Sequence, residues 1–207
     1  MLELPPTLRP PEANEVPQDF SSMEEGLEQR ERANIVEGYR LFDNDGSDEL
    51  QQIPFSFYAE INVDNSRLWE LLTRLSKELP DMASLIFGLE GGELSYSDYL
   101  SKSGLMADLV EFKREIAQDT FIEIGLIFSD ETKLVEVLVA DSKYIKFWGV
   151  DKDSFRQIMS EFSIEENEEI AFADEYPNVR EHLTKFYEDA LPTDELIERL
   201  EAKYRST

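Results

Sequence analysis

The amino-acid sequence predicts an α+β fold: a single mixed or mainly antiparallel sheet of about five strands, helices packed on it, and a helical C-terminal segment. Three observations carry that expectation. A dense strand cluster runs from Thr120 to Trp148. Amphipathic helical patterns stand before and after it. Strands and helices are only partly interleaved, which does not suit a doubly wound sheet. The expected organisation is a Pro-rich flexible arm over residues 1–20, then one α+β domain over residues 21–207.

The elements follow in order. Pro5, Pro6, Pro10, Pro11 and Pro17 block helix and central strand, so the first 20 residues read as polyproline II or a mobile tail. Ser22 and Glu25 make a capping box at the start of a helix expected over Ser22–Leu41. A turn-rich loop follows. Phe55–Val63 alternates Phe55, Phe57, Ala59, Ile61 and Val63 with polar positions, the signature of a half-buried strand. In Ser66–Leu79 the residues Leu68, Leu71, Leu72, Leu75 and Leu79 form a helical stripe, ended by Pro80. Ser84–Glu90 is a strand, and Gly91-Gly92 turns it into a short partner over Glu93–Tyr96. A long helical pattern covers Ser97–Gln118, with a break expected near Gly104.

The strand cluster is the clearest part. Ile122, Ile124, Leu126 and Phe128 share one face of a strand over Thr120–Phe128. Lys133–Ala140 is apolar on both faces apart from Glu136 and reads as a central strand. Lys143–Trp148 follows a tight Asp141-Ser142 turn, and its lysines suit an edge strand. Connections this short require antiparallel pairing. Beyond them, Asp151 or Asp153 caps a helix bearing Phe155, Ile158, Met159 and Phe162. A helix is expected over Asn178–Leu191, and a last one from Thr193 through Tyr204.

The chain has 207 residues with 46 acidic and 20 basic side chains, a formal net charge of -26. Such a surplus argues against nucleic acid and anionic membrane as partners, since both select positive charge. It favours a basic protein partner, cations, or no partner at all. Cysteine is absent, which removes disulfides, thiolate metal sites and a cysteine nucleophile. Neither a secretory signal pattern nor an apolar run of membrane-spanning length stands out, so a cytoplasmic protein is expected.

Few motifs carry chemistry. The loop Asp43-Asn44-Asp45-Gly46-Ser47-Asp48-Glu49 invites a calcium reading, but with Gly46 at its loop position an EF-hand would start at Leu41 and end at Gln52. Both terminal ligands are then missing, and an Asp/Gly turn accounts for the loop. Glu90-Gly91-Gly92-Glu93 is similar to the Gly-Gly-acid-Glu-Phe turn of diguanylate cyclases, but Leu94 and Ser95 replace the second acid and the Phe. A Gly-Gly hairpin turn explains it better. His182, the only histidine, has no neighbour that would complete a triad or a His-based metal site. No phosphate-binding glycine loop is present.

The acidic run Glu161, Glu165, Glu166, Glu168, Glu169, Asp174 and Glu175 has the most specific shape. It contains no Lys or Arg and is interleaved with Ile164, Ile170, Phe172 and Tyr176. Two readings stand side by side. The apolar residues are anchors of a docking surface ringed by charge, with Phe172 and Tyr176 among the partner contacts. Alternatively they pin the segment to the core and leave the acids in water. The expected function is a non-enzymatic acidic binding protein without cofactor or metal, neutralising a basic protein partner. Its plainest case is a bacterial immunity protein inhibiting a nuclease-like toxin. The alternatives are a carboxylate- or metal-dependent enzyme using Asp43–Glu49, and an adaptor whose Pro-rich arm engages a partner.

Overall fold

The computed structural model describes residues 2–12, 14–15, 21–44 and 53–205. It is a mixed α+β structure built on a large antiparallel sheet, with a second, two-stranded sheet beside it. The strands are β1 (Leu8–Arg9), β2 (Gly38–Asp43), β3 (Phe57–Asn62), β4 (Met82–Leu89), β5 (Ser95–Tyr96), β6 (Leu100–Ser101), β7 (Ile122–Ser129), β8 (Leu134–Val139), β9 (Ile145–Gly149) and β10 (Val179–Arg180). The helices are α1 (Ser21–Arg32), α2 (Leu68–Leu75), α3 (Lys102–Leu109), α4 (Lys113–Gln118), α5 (Lys152–Glu161) and α6 (Thr193–Tyr204). The large sheet runs in the order β2-β3-β9-β8-β7-β4-β5, with β6 also pairing β4. The sheet has eight strands among the described residues rather than about five: β5 falls in the short partner expected over Glu93–Tyr96, while β2 and β6 lie in sequence that reads as helix.

The period-two pattern assigns the faces. Ala59 pairs with Phe147, Phe147 with Val137, Val137 with Leu126, and Leu126 with Leu85. That row and its neighbours Phe57, Ile61, Val139, Ile124 and Phe87 form the buried inner face. Leu68, Leu71, Leu72 and Leu75 of α2 cover it, with Leu105 and Leu109 of α3, Ile116 of α4, Phe155, Ile158 and Met159 of α5, and Leu196 and Leu200 of α6. Phe155 is the hub on this side: its ring lies 5.2 Å from Tyr39, 5.1 Å from Phe57 and 5.5 Å from Phe147. Each fully buried phenylalanine contributes roughly 1.5–3 kcal/mol of transfer free energy. Asp151 caps α5 by accepting the Ser154 N–H at 3.0 Å, as its position in the sequence suggests.

Several expectations need correction. Strand β9 is not an edge: it lies between β3 and β8. Its lysines have interior roles. Lys146 stands opposite Glu60. Lys143 occupies the left-handed position of the β8–β9 hairpin, with φ of 63°, and its buried ammonium donates to the Ile122 carbonyl at 3.0 Å. Burial lowers the Lys143 pKa to about 8. β8 is central, as its two apolar faces imply. The helix expected over Ser22–Leu41 stops at Arg32, and Gly38–Asp43 is strand β2 because Tyr39 and Leu41 find the inner face beside β3. Gly104 lies inside α3; the interruption falls later, at the 3-10 turn Val110–Phe112. Asn178–Leu191 is not a helix but strand β10 and a 3-10 turn over Leu183–Lys185.

Tertiary pairing overrides local pattern at β10. Leu8 and Arg9 pair with it, and Arg180 donates to the Thr120 carbonyl and to Asp141, both at 2.9 Å. The residues expected as a flexible arm therefore include a stretch laid on the domain. Leu2, Thr7 and Leu8 are buried, the Thr7 hydroxyl donates to the Gln118 carbonyl, and the Glu3 carbonyl accepts the Asn65 N–H at 2.9 Å.

Candidate functional site

The β2 edge of the sheet is covered around Tyr39, and the way it is covered places the acidic run. Downstream of α5 the chain turns at Ser163 and passes along the free side of β2 as a parallel bridge between Tyr39 and Glu166. Ile164, Ile170 and Phe172 are buried. Phe172 rests on Tyr144, with ring centroids 4.7 Å apart, and beneath the Arg40 guanidinium at 4.5 Å. With Ala140 and Tyr144, Ile170 and Phe172 form a second, smaller core on the outer face of the sheet, whereas Ile164 joins the main core. The apolar residues of the run therefore pin it in place, while Tyr176 stays half-buried. At the other edge, β5 and β6 share the free side of β4. Covered edges forestall unwanted strand pairing.

The acids of the run fall at three stations. Glu161, at the end of α5, pairs with Arg74 at 2.8 Å. Glu166 pairs with Arg156 at 3.2 Å and accepts the Tyr39 hydroxyl at 3.2 Å. Glu175 pairs with Arg40 at 2.9 Å and accepts the Phe172 N–H at 3.1 Å. Glu165, Glu168, Glu169 and Asp174 are exposed and have no ion pair among the described residues. Each arginine of the chain except Arg30 is paired with one of its own carboxylates. The arginines are therefore largely engaged within the chain, and four carboxylates without an ion pair among the described residues stand on one short, anchored segment.

Beyond that segment the outer face of the sheet is partly exposed: Ile86 and Leu138 are buried, and Tyr58, Glu136 and Trp148 are half-buried. Its first row runs Phe42, Tyr58, Trp148, Glu136, Ile127 across five strands. Its second runs Arg40, Glu60, Lys146, Leu138, Gly125, Ile86, Tyr96. Tyr58 packs on Trp148 with centroids 4.5 Å apart and on Phe42 at 5.8 Å. Phe42 and Tyr96 are about half exposed. Gly125 is required where it stands, since a Cβ there would lie 2.2 Å from the Val137 carbonyl oxygen. Burial pushes the Glu136 carboxyl up to about 7, against the opposing effect of Lys146. Burial also raises the Tyr58 and Tyr144 phenols, with Glu60 adding to the first and Asp174 to both.

This face was only partly legible in the sequence. Glu136 stands out there as the one charge in an apolar strand, but Tyr58 and Trp148 do not. Their common signal is period-two placement on strands whose other face is wholly apolar, which becomes informative only once the strand order is known.

The remaining sequence-derived sites are quieter. Asp43 ends β2 and pairs with Lys152, and Asn44 bonds the Phe55 carbonyl at 2.8 Å; Asp45–Glu49 lie outside the described residues. No group of three or more His, Asp or Glu side chains is placed to hold a metal ion among the described residues. Glu90 to Glu93 form the turn from β4 toward β5, with Gly91 at φ of 66°. His182 is exposed and stacks on Phe121 at 4.7 Å, beside a cavity of about 370 Å³. A larger apolar groove of about 760 Å³ lies between the N-terminal segment and α1, lined by Leu2, Leu4, Leu27, Ile35 and Val36. No described helix is long and apolar enough to cross a membrane. No protein-family model, curated protein or solved structure matches the chain.

Proposed function

We propose that this chain is a non-enzymatic binding protein that neutralises a basic protein partner. Its plainest case is a bacterial cytoplasmic immunity protein that inhibits a nuclease-like toxin. The observation that carries the reading is the arrangement of charge on the segment from Glu161 to Tyr176. Ile164, Ile170 and Phe172 are buried in the core, the backbone is bonded to β2, and Glu165, Glu168, Glu169 and Asp174 have no ion pair among the described residues. Carboxylates fixed on an ordered edge lose little entropy on binding and exert their full field on an approaching basic surface. Such attraction speeds encounter and weakens with salt. A nuclease's substrate cleft is basic for the reason given by its polyanionic substrate, so an acidic surface is suited to occlude it.

The test is inhibition of a purified basic nuclease-toxin domain encoded beside this chain. The expected result is stoichiometric inhibition that weakens as salt rises. It should be lost when Glu165, Glu168 and Glu169 are changed to Lys, with the fold retained. Glu166 is kept, because it is bonded to Arg156 and Tyr39. Inhibition by that variant equal to the parent's would overturn the assignment of this segment.

A further inference from the structure

Three arginines of this chain are held in one way. Arg40 lies 4.5 Å from the Phe172 ring centroid and pairs with Glu175 at 2.9 Å and Glu60 at 3.1 Å. Arg67 lies 5.7 Å from Phe162 and pairs with Glu37 at 2.8 Å. Arg114 lies 5.1 Å from Tyr187 and pairs with Asp189 at 2.6 Å. In each case a ring face attracts the guanidinium, and a carboxylate accepts from its planar fork.

The outer sheet face repeats this pairing of ring and carboxylate, but without the arginine. Glu136 on β8 is directly opposite Trp148 on β9, a cross-strand relation that brings the two side chains into contact range. Tyr58 supports the indole from the next strand. Glu136 has no hydrogen bond or ion pair among the described residues. Tyr96 extends the aromatic border on the far side, close enough for the Glu136 charge to raise its phenol, after burial.

We propose that Trp148 and Glu136 form a receptor for an arginine side chain of the basic partner, its guanidinium lying on the indole and bonded to the carboxylate. Charge complementarity decides the occupant. Glu123, Glu136 and Asp174 belong to this side of the sheet, whereas Arg40 is already committed to Glu60 and Glu175. Lys146 is the remaining cation of the two central rows, opposite Glu60, 5.5 Å from the Tyr144 ring centroid and without an ion pair among the described residues. It sits one residue pair away from Glu136 and competes weakly as a compact, hydrated ammonium. Arginine is favoured over lysine because its delocalised fork can stack and bond bidentately at once. The inference rests on the proposed function in requiring a basic partner, but its site is separate from the acidic segment, so the two can fail independently.

The experiment uses the full chain, isotope-labelled, with hexa-arginine and hexa-lysine peptides as probes. The Trp148 indole N–H resonance and the dissociation constant are followed at low and high salt. Hexa-arginine is expected to shift the Trp148 resonance and to bind more tightly than hexa-lysine. Glu136→Gln should weaken hexa-arginine binding about tenfold. Glu198→Gln, the same change on exposed α6, should alter it less than about twofold. Lys146→Met should strengthen it. Hexa-arginine binding with an unmoved Trp148 resonance and an unchanged constant in Glu136→Gln would overturn this receptor and leave the acidic-segment reading standing. Equal affinities for the two peptides would overturn the choice of arginine. Absence of binding at low salt would overturn both readings.

Discussion

Tyr39 and Glu166 form a parallel bridge at the edge of the sheet, the Tyr39 N–H donating to the Glu165 carbonyl at 3.0 Å and the Asn167 N–H to the Tyr39 carbonyl at 2.9 Å. Tyr39 also faces inward onto Phe155. One residue thereby ties the acidic segment, strand β2 and helix α5 together. The carboxylates on this segment are displayed by an ordered backbone, and their positions depend on core packing a short distance away.

That dependence separates the two roles within the segment. Phe172→Ala should destabilise the fold by about 3–5 kcal/mol, the usual cost of emptying a buried aromatic site. Glu168→Ala, exposed and unpaired, should change stability by no more than about 0.5 kcal/mol. Urea titration of both variants checks the contrast. A small effect of Phe172→Ala would mean that the ring is an external anchor rather than part of the second core.

Glu136 gives the fold a definite pH response. Its carboxyl is raised from 4.5 to about 7 by burial, so between those values the folded state holds a proton that the unfolded chain has released. Stability from this group is therefore present below pH 4.5 and falls as pH rises toward 7. Lys146 on β9 opposes the shift; Glu60, Glu123, Asp174, Arg40 and the Tyr58, Tyr96 and Tyr144 phenols also stand on its side of the sheet. With about 1.4 kcal/mol per pKa unit and allowance for partial solvation, the cost at pH 8 is on the order of 1–3 kcal/mol. Glu136→Gln should remove that share of the slope, measured by thermal unfolding at pH 5 and pH 8. Identical slopes in the two proteins would show that the carboxyl titrates normally.

The N-terminal segment should matter for stability. Leu8 is 4% exposed, and β1 pairs with β10. Leu8→Ala is expected to cost about 2–5 kcal/mol, and deletion of residues 1–9 at least as much. Equilibrium unfolding of the two variants tests this, and unchanged midpoints would restore the picture of an independent arm.

Where side-chain period alone decides, the sequence was sufficient. Alternation in Phe57–Ile61 and Ile122–Leu126 sorted one face into the core, because a residue two positions along a strand must point the same way. The Leu68–Leu75 stripe did the same for a helix, and the short hairpin links between β7, β8 and β9 required antiparallel pairing. Local pattern could not decide whose edge is free. β2 reads as the end of a helix until β3 offers it a partner, and Val179–Arg180 reads as helix until Leu8–Arg9 lies beside it. Pairing between segments more than 160 residues apart depends on contacts that neither segment encodes by itself. The same holds for the partnership of Trp148 with Glu136. Glu136 stands out in its own strand but Trp148 does not, and only the β8–β9 register sets ring and carboxylate side by side on a half-buried face.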